Sequence, residues 1–350
     1  VESSLYKKSP HGYLFDKYDP SLVVVSDIGT LEHTNLIMWE ARQRGVNVAS
    51  VVLSWDNLTS FGMSPTEPDF AVAWNQNMRD ELQAYHDIAA SKIFIGGVAL
   101  WDGYFADPSP ITRDQFLQSY GLSPDRKTIF LGPNSPNGYG HIVEVVEKLL
   151  NSIEAGELGE PCQLLIRPHP VAFLPRRKGE VANEVERLKE LRSRRRDLLA
   201  ISYPKMIDQK QGAMLPIEDT RNLAAILRHS DVLVTVYSSL MIEACLFDLP
   251  TINVGFHNIR ESEINIREVE WLTHIKRILD YGAMRTAGSD QELIDLIEMY
   301  LKDRSIDRRQ RQQVLDIEAG PNKGAAGVAI ADHLFDLANL DGAPRKRQTK

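Results

Sequence analysis

Cysteine is scarce in this sequence: Cys162 and Cys245 are the two, each among apolar neighbours (CQLLI and EACLF). That placement excludes a disulfide framework and predicts buried thiols in a reducing compartment. Long apolar runs are missing as well. The stretch Val232 to Ile242 falls far short of the roughly 20 residues that span a bilayer, so no transmembrane helix is expected. Excess positive charge is lacking too, with 40 Lys and Arg against 48 Asp and Glu and a net charge of -8. No global basic field is present to hold nucleic acid. There is no G-x-x-x-x-G-K-[ST], no G-x-S-x-G, no H-E-x-x-H, no paired C-x-x-C and no D-x-D. P-loop ATPases, α/β-hydrolases, the common zinc sites and a metal held by paired aspartates all lose support. No leader pattern of basic then apolar residues stands at Val1, and the absent Met predicts residues upstream.

What remains is globular in composition, 43% hydrophobic and 25% charged over 350 residues. At roughly 150 residues per domain, that length implies about two domains. Residues 1 to 20 carry turn formers without periodicity. A strand is then expected at 22–26 and a helix at 31–44, closed by a left-handed Gly45. Strands at 48–53, 70–74 and 92–95 alternate with a polar segment (54–68) and a helix at 77–86. Such alternation predicts parallel sheet in an α/β layer architecture. Residues 103–125 hold Pro108, Pro110 and Pro124 and no long apolar run, which reads as an interdomain linker. Beyond it strands are expected at 128–131, 163–167, 199–202, 232–236 and 251–254. The helices among and after them are expected at 141–155, 180–196, 220–229, 239–247, 290–301 and 325–340. This second series makes a complete doubly wound unit. The first is short beside it, so if the halves are alike some of its strands lie upstream. The domains are therefore drawn at 1–106 (N-terminal, partial) and 126–340, joined by a linker at 107–125 and followed by a disordered basic tail at 341–350. No internal repeat is visible.

Four stretches could carry chemistry. In SDVLVTVYSSLMIEACLFDLPTINVG (230–255) a buried strand runs into Ser238, Ser239 and a helix, the place where α/β proteins bind phosphate. Glu243 lies one turn after Ser239 on the same face, suited to ribose hydroxyls; the plain alternative is a capping serine and a surface carboxylate. In LLIRPHP (164–170) two prolines fix Arg167 and His169 at a strand end, where a rigid cation and imidazole suit a diphosphate. The loop GPNSPNGYGH (132–141) offers Gly132 and Asn134 for close backbone approach to a ligand, although it is not a dinucleotide fingerprint. In the first half, SWDNLTSFG (54–62) and Asp27 place carboxylates after strands, where Asp56 could serve as a general base toward an acceptor hydroxyl. The alternative reading there is Trp55 in the core, Asp56 in a turn and Asp27 as a helix cap. The basic helix RLKELRSRRR (187–196) is interleaved with glutamates and reads as a solvated face.

RPHP, about 60 residues, then the Ser-Ser and Glu segment together resemble the donor half of GT-B glycosyltransferases. The branch of similar pattern is that of CDP-glycerol glycerophosphotransferases and capsule or surface-polysaccharide transferases. YGAMRTAGSDQELIDLIEMYL and GPNKGAAGVAIADHL look like the closing elements of that fold. The resemblance implies two Rossmann-type domains facing across a cleft, the first shortened at its N-terminus. It further implies that His169, Ser238 and Ser239 contact donor phosphates beside Arg167, and that Glu243 holds the ribose. Where the glycerophosphotransferases carry a W-H-G-T-P loop this chain has SWDNLT, so Asp56 stands in the place of the catalytic His. Where the family often has Asp-Tyr before the serines, this chain has Val236-Tyr237.

The resulting expectation is a metal-independent transferase. It moves a sugar from a nucleotide-sugar, as substrate and not cofactor, to a hydroxyl of a surface glycan or lipid-linked acceptor. Asp56 and His169 are the catalytic candidates. Arg167, Ser238, Ser239, Glu243, Gly132 and Asn134 face the donor, and Asp27, His33 and Trp55 the acceptor. The expected place is the cytoplasm, with peripheral contact at the inner membrane face. Alternatives are a glycerophosphotransferase, a nucleotide-sugar 2-epimerase, or a binding protein with a decayed site.

Overall fold

A computed structural model describes residues 10–60, 62–63, 66–105, 111–174, 180–207 and 215–339. Its chain divides into two compact units. One takes the residues up to Phe105 and again those from Asp316, and the other is Ala106–Leu315. Each holds a parallel sheet of its own, so the α/β class and the pair of Rossmann-like domains stand as expected.

The first unit begins with α1 (Gly12–Tyr18), β1 (Leu22–Val25), α2 (Glu32–Gln43), β2 (Asn47–Val51) and α3 (Asn57–Ser60). It continues with β3 (Phe70–Ala73), α4 (Gln76–His86), β4 (Ile93–Ile95) and α5 (Asp102–Phe105). The strands lie in simple sequence order, β1-β2-β3-β4. Gly45, at φ +66°, ends α2 in the left-handed conformation that a Cβ would strain. Asn75 caps α4, its Oδ1 accepting the Met78 N–H at 3.0 Å. The N-terminal stretch is not featureless: α1 buries Phe15 against Val25, Met38, Ala41 and Val48. One inward aromatic anchors it, too little for a periodic signal.

In the second unit α6 (Arg113–Ser119) precedes β5 (Lys127–Gly132), α7 (Ile142–Ala155), β6 (Cys162–Ile166), α8 (Glu180–Arg194) and β7 (Leu199–Ile201). Then come α9 (Ile217–His229), β8 (Val232–Thr235), α10 (Leu240–Cys245), β9 (Thr251–Val254), α11 (Thr273–Asp280), β10 (Arg285–Ala287), α12 (Asp290–Lys302) and α13 (Arg308–Glu318), whose last residues pass into the first unit. The sheet order is β7-β6-β5-β8-β9-β10. The chain works outward one way from β5, then returns to the other side of β5 and works outward again. In open α/β sheets such a reversal is where a crevice forms, here above the carboxyl ends of β5 and β8. β6 and β8 are buried along their whole length, as a sheet covered on both faces requires.

Two boundaries differ from those drawn on the sequence. Within the expected linker, α6 is a core helix of the second unit. A reciprocal capping box of Thr112 and Gln115 starts it, and Phe116 and Leu117 are buried under it. Of the prolines that suggested a linker, Pro108 and Pro110 lie outside the described residues, as do 1–9, Phe61 and the basic tail. The closing helix α14 (Ala326–Asn339) belongs to the first unit, not to the second. Asp102 caps it by accepting the Ala326 and Gly327 N–H groups at 2.9 and 2.7 Å. Ile330 packs so close to Gly96 that a Cβ there would lie 2.5 Å from its Cγ1. Gly320 (φ +64°) brings the returning chain onto Trp74, whose carbonyl oxygen leaves 1.9 Å for a Cβ. Sequence adjacency to α12 and α13 concealed this return.

The basic helix α8 lays Arg187 toward Glu144 and Glu147 of α7, and Arg195, just past its end, pairs with Glu154 of α7. Its charges are spent partly on a neighbouring helix, while Arg192 stays without such a partner among the described residues. No helix among the described residues is long and apolar enough to cross a membrane.

Candidate functional site

The crevice residues follow from how β8 ends. After Val236 the chain turns through Tyr237, a non-glycine residue at φ +39°. Two bonds hold that conformation: the Tyr237 N–H donates to Asn253 Oδ1 (3.2 Å) and its hydroxyl to Glu270 Oε1 (2.6 Å). Burial, aided by Glu270, drives the hydroxyl's pKa well above that of free tyrosine, so it stays a donor. The serines are thus preceded by an apolar Val236 and a buried, bonded Tyr237.

This turn delivers both serines to the sheet edge. Ser238 Oγ lies 2.8 Å from Thr235 Oγ1, which itself bonds the Gly132 carbonyl at 2.6 Å. Gly132 and Thr235 are also register partners between β5 and β8, so this polar chain bridges the switch point. Ser239 donates to Glu243 Oε1 at 2.8 Å, and Glu243 is only 8% exposed. The i, i+4 spacing read from the sequence thus becomes a direct hydroxyl–carboxylate pair. Gly132 lies close against its neighbours: a Cβ there would stand 2.4 Å from Leu240 Cδ1, at the head of α10, and would make that side chain shift. Asn134 follows in the loop with its Oδ1 buried and without a hydrogen-bond partner in the structure. A buried acceptor left open beside a crevice suits a donor from water or ligand.

At the end of β6 the two candidates part. Arg167 is 7% exposed and its guanidinium is committed, Nη2 to the buried Asp219 and Nη1 to Ser202 Oγ at 2.9 Å. It is a structural ion pair, not the open phosphate ligand the sequence suggested. Removing either partner would strand a buried charge. His169 is half-buried and accepts the Val171 N–H on Nδ1 at 3.2 Å, which in the neutral ring leaves the proton on Nε2.

The first-unit candidates also separate. Asp27 is buried and saturated, accepting from the Gly29 and Thr30 N–H groups (2.7 and 2.9 Å) and from Thr34 Oγ1 (2.6 Å). It organises the turn into α2 and is not offered to an acceptor. Trp55 is core, 6% exposed. His33 is exposed and shares a shallow hollow with Ile37, Val51 and Leu53. Asp56 begins α3 half-exposed, its carboxylate accepting from Ser54 Oγ and its carbonyl from the Ser60 N–H (2.9 Å). Of the four, Asp56 alone is a carboxylate presented to solvent.

The loop after β9 was missed in the sequence. His257, at φ +70°, stacks on His141 with ring centroids 4.6 Å apart, and Tyr139 closes on both rings. Burial and the neighbouring His141 pull the His257 pKa down. Arg260 fastens the two loops by donating to the Pro136 carbonyl at 2.5 Å and pairing with Glu184 of α8. FHNIR just after a buried strand was the available signal, since the loops that follow the strands at the switch point border the crevice. Among the described residues no group of three or more His, Cys, Asp and Glu is placed to hold a metal ion.

No protein-family model matches the sequence. No curated protein matches it either. Solved structures do. The Staphylococcus aureus MnaA–UDP structure matches at a TM-score of 0.60 and 15% identity, covering 99% of this chain and 84% of that one. UDP-GlcNAc 2-epimerase from Neisseria meningitidis, bound to UDP-GlcNAc, matches at 0.58 and 13%, over 93% and 78%. The wall teichoic acid polymerase TagF matches at 0.50 and 11%, over 98% and 97%. Identities this low speak for the fold alone, and the fold they share with this chain is GT-B-like, with two Rossmann-like domains.

Proposed function

We propose that the chain is a glycosyltransferase that takes a nucleotide-sugar at the crevice of the second unit and passes the sugar to a hydroxyl of a glycan or lipid-linked acceptor. The observation that carries this reading is the Ser239–Glu243 pair, set beside Ser238 and Thr235 at the β5–β8 switch point. Nearly buried, Glu243 can accept from ribose hydroxyls, while loop N–H groups donate to a diphosphate and the two serine hydroxyls turn to it on giving up their bonds to Thr235 and Glu243. Nucleotides bound in neighbours of the same fold support the donor class. His169, with its proton on Nε2, would donate to the leaving diphosphate as its charge grows. Asp56 would take the acceptor proton. Arg167 acts one step back, by holding the end of β6. The charge to be stabilised is met by these donors, and no cofactor enters the reading. Work on cell-envelope glycans at the inner membrane face belongs to the same proposal.

The test is product analysis with UDP-, GDP-, CDP- and ADP-sugars, with and without polyprenyl-phosphate-linked or glycan acceptors. Acceptor-dependent release of nucleoside diphosphate and a lengthened acceptor are expected. Asp56→Asn should lower turnover by about 10²–10⁴-fold, the usual contribution of a general base. Acceptor-independent conversion to an epimeric sugar would replace this reading with the 2-epimerase. Transfer of glycerol phosphate from CDP-glycerol would replace it with the glycerophosphotransferase. Nucleotide binding without turnover, unaffected by Asp56→Asn, would leave a binding protein.

A further inference from the structure

Away from the crevice residues, the second unit has a hollow of about 550 Å³ beside β7. That is within the ~300–1,000 Å³ usual for small-molecule sites. Tyr120 follows α6, Arg192 stands in the last turn of α8, Tyr203 and Lys205 follow β7, and Asp219 and Asn222 belong to the first turns of α9.

Its back wall is fixed. The Tyr120 hydroxyl donates to Asn222 Oδ1 at 3.0 Å and lies 3.1 Å from Ser202 Oγ. Asp219 accepts the Lys205 backbone N–H at 2.9 Å on one oxygen and Arg167 on the other. These polar groups are consumed by one another. What the hollow still offers is of two kinds. Arg192 and the Lys205 ammonium have no carboxylate partner among the described residues. Tyr203 is 47% exposed, with Phe173 against it edge-on at 5.8 Å to hold its plane. The Asp219 charge is already met by Arg167, which leaves Glu218 at the rim as the one opposing carboxylate among the lining residues. Two free cations and a braced aromatic face around a polar hollow suit an anion attached to a flat ring.

We propose that this hollow is a second ligand site, for a phosphate monoester carried on an aromatic or heteroaromatic ring. Arg192 and Lys205 hold the phosphate, and Tyr203 and Tyr120 receive the ring. The site stands on its own residues and does not depend on the transferase reading.

The experiment is calorimetric titration of the full chain with phenyl phosphate, with inorganic phosphate and phenol as half-probes. Saturable binding at one site is expected, tighter than for either half-probe. The double variant Arg192→Ala with Lys205→Ala should weaken it at least tenfold and Tyr203→Ala at least threefold, while Ser239→Ala leaves it unchanged. These side chains are half-buried or exposed, so an unchanged unfolding midpoint will confirm that the variants fold. Absence of saturable binding overturns the proposal. So does binding that survives the double variant, that is lost with Ser239→Ala, or that inorganic phosphate matches.

Discussion

The two sheets of this protein are made of the same material and differ in order. Both are parallel, with apolar strands of three to six residues linked by helices. In the first, sequence order and spatial order coincide, so each crossover steps the same way. In the second, the chain returns to the far side of β5, and a crevice opens where the steps diverge. The polar groups follow that difference. At the end of β1, Asp27 spends its carboxylate on its own turn; at the end of β8, hydroxyls and Glu243 meet at the edge. Asp27 is therefore spent in its own turn, while Glu243 stands where strand order leaves room for a ligand.

Breaking the buried ion pair should give the largest effect. Asp219→Ala strands Arg167 and should cost about 3–5 kcal/mol, seen as early loss of hydrogen-exchange protection in β6 and β7 while β2 and β3 keep theirs. The mirror test is Gly320→Ala. A Cβ against the Trp74 carbonyl at φ +64°, combining backbone strain with overpacking, should cost about 2–5 kcal/mol and loosen β3 and β4 instead. If either variant melts both units together, the units are not energetically separate. Ser239→Ala sharpens the comparison. It removes one hydrogen bond worth about 0.5–1.5 kcal/mol and should barely move the unfolding midpoint. The stabilisation by UDP should nevertheless vanish, where wild type at 100 times its dissociation constant gains about 2.7 kcal/mol.

The smallest effect concerns pH. The His257 pKa is lowered in the fold by burial and by His141, with Asp290 and Glu144 opposing. An unfolded His takes up its proton near pH 6.5. As pH falls through that value the unfolded state binds a proton that the native state still refuses, so stability drops until the lower native pKa is passed. His229 and His333 shift the same way. His257→Asn, which tolerates the left-handed backbone, should flatten part of the decline in unfolding midpoint between pH 7 and 5.

Much of the second unit was legible. Five of its six strands fell within a residue or two of their expected places, because residues buried on both faces of a parallel sheet leave unbroken apolar runs such as LLI and VLV; β10, a short edge strand that starts on an exposed Arg285, was not expected. The contact between Ser239 and Glu243 was legible through helical spacing. Arg167 was legible as a rigid cation but not as a spent one, since its partner Asp219 lies 52 positions away. Trp55 took the bland alternative weighed for it, core; Asp27 is also spent locally, though on the turn before α2 and not as the helix cap, since Leu31 stands at the N-cap. Helix α6 was hidden among prolines, and the stacked His141 and His257 come from loops that meet only in space.

The sequence by itself determined what repeats locally: the alternation of strand and helix, the glycine turn at Gly45, the serine–glutamate spacing of α10. Apolar periodicity and backbone sterics act over a few residues and are written in them. The tertiary structure alone decided strand order, the return of α14 to the first unit and which charges remain open. Each of these is settled by partners far apart in the chain, where a buried group takes whichever neighbour relieves its desolvation.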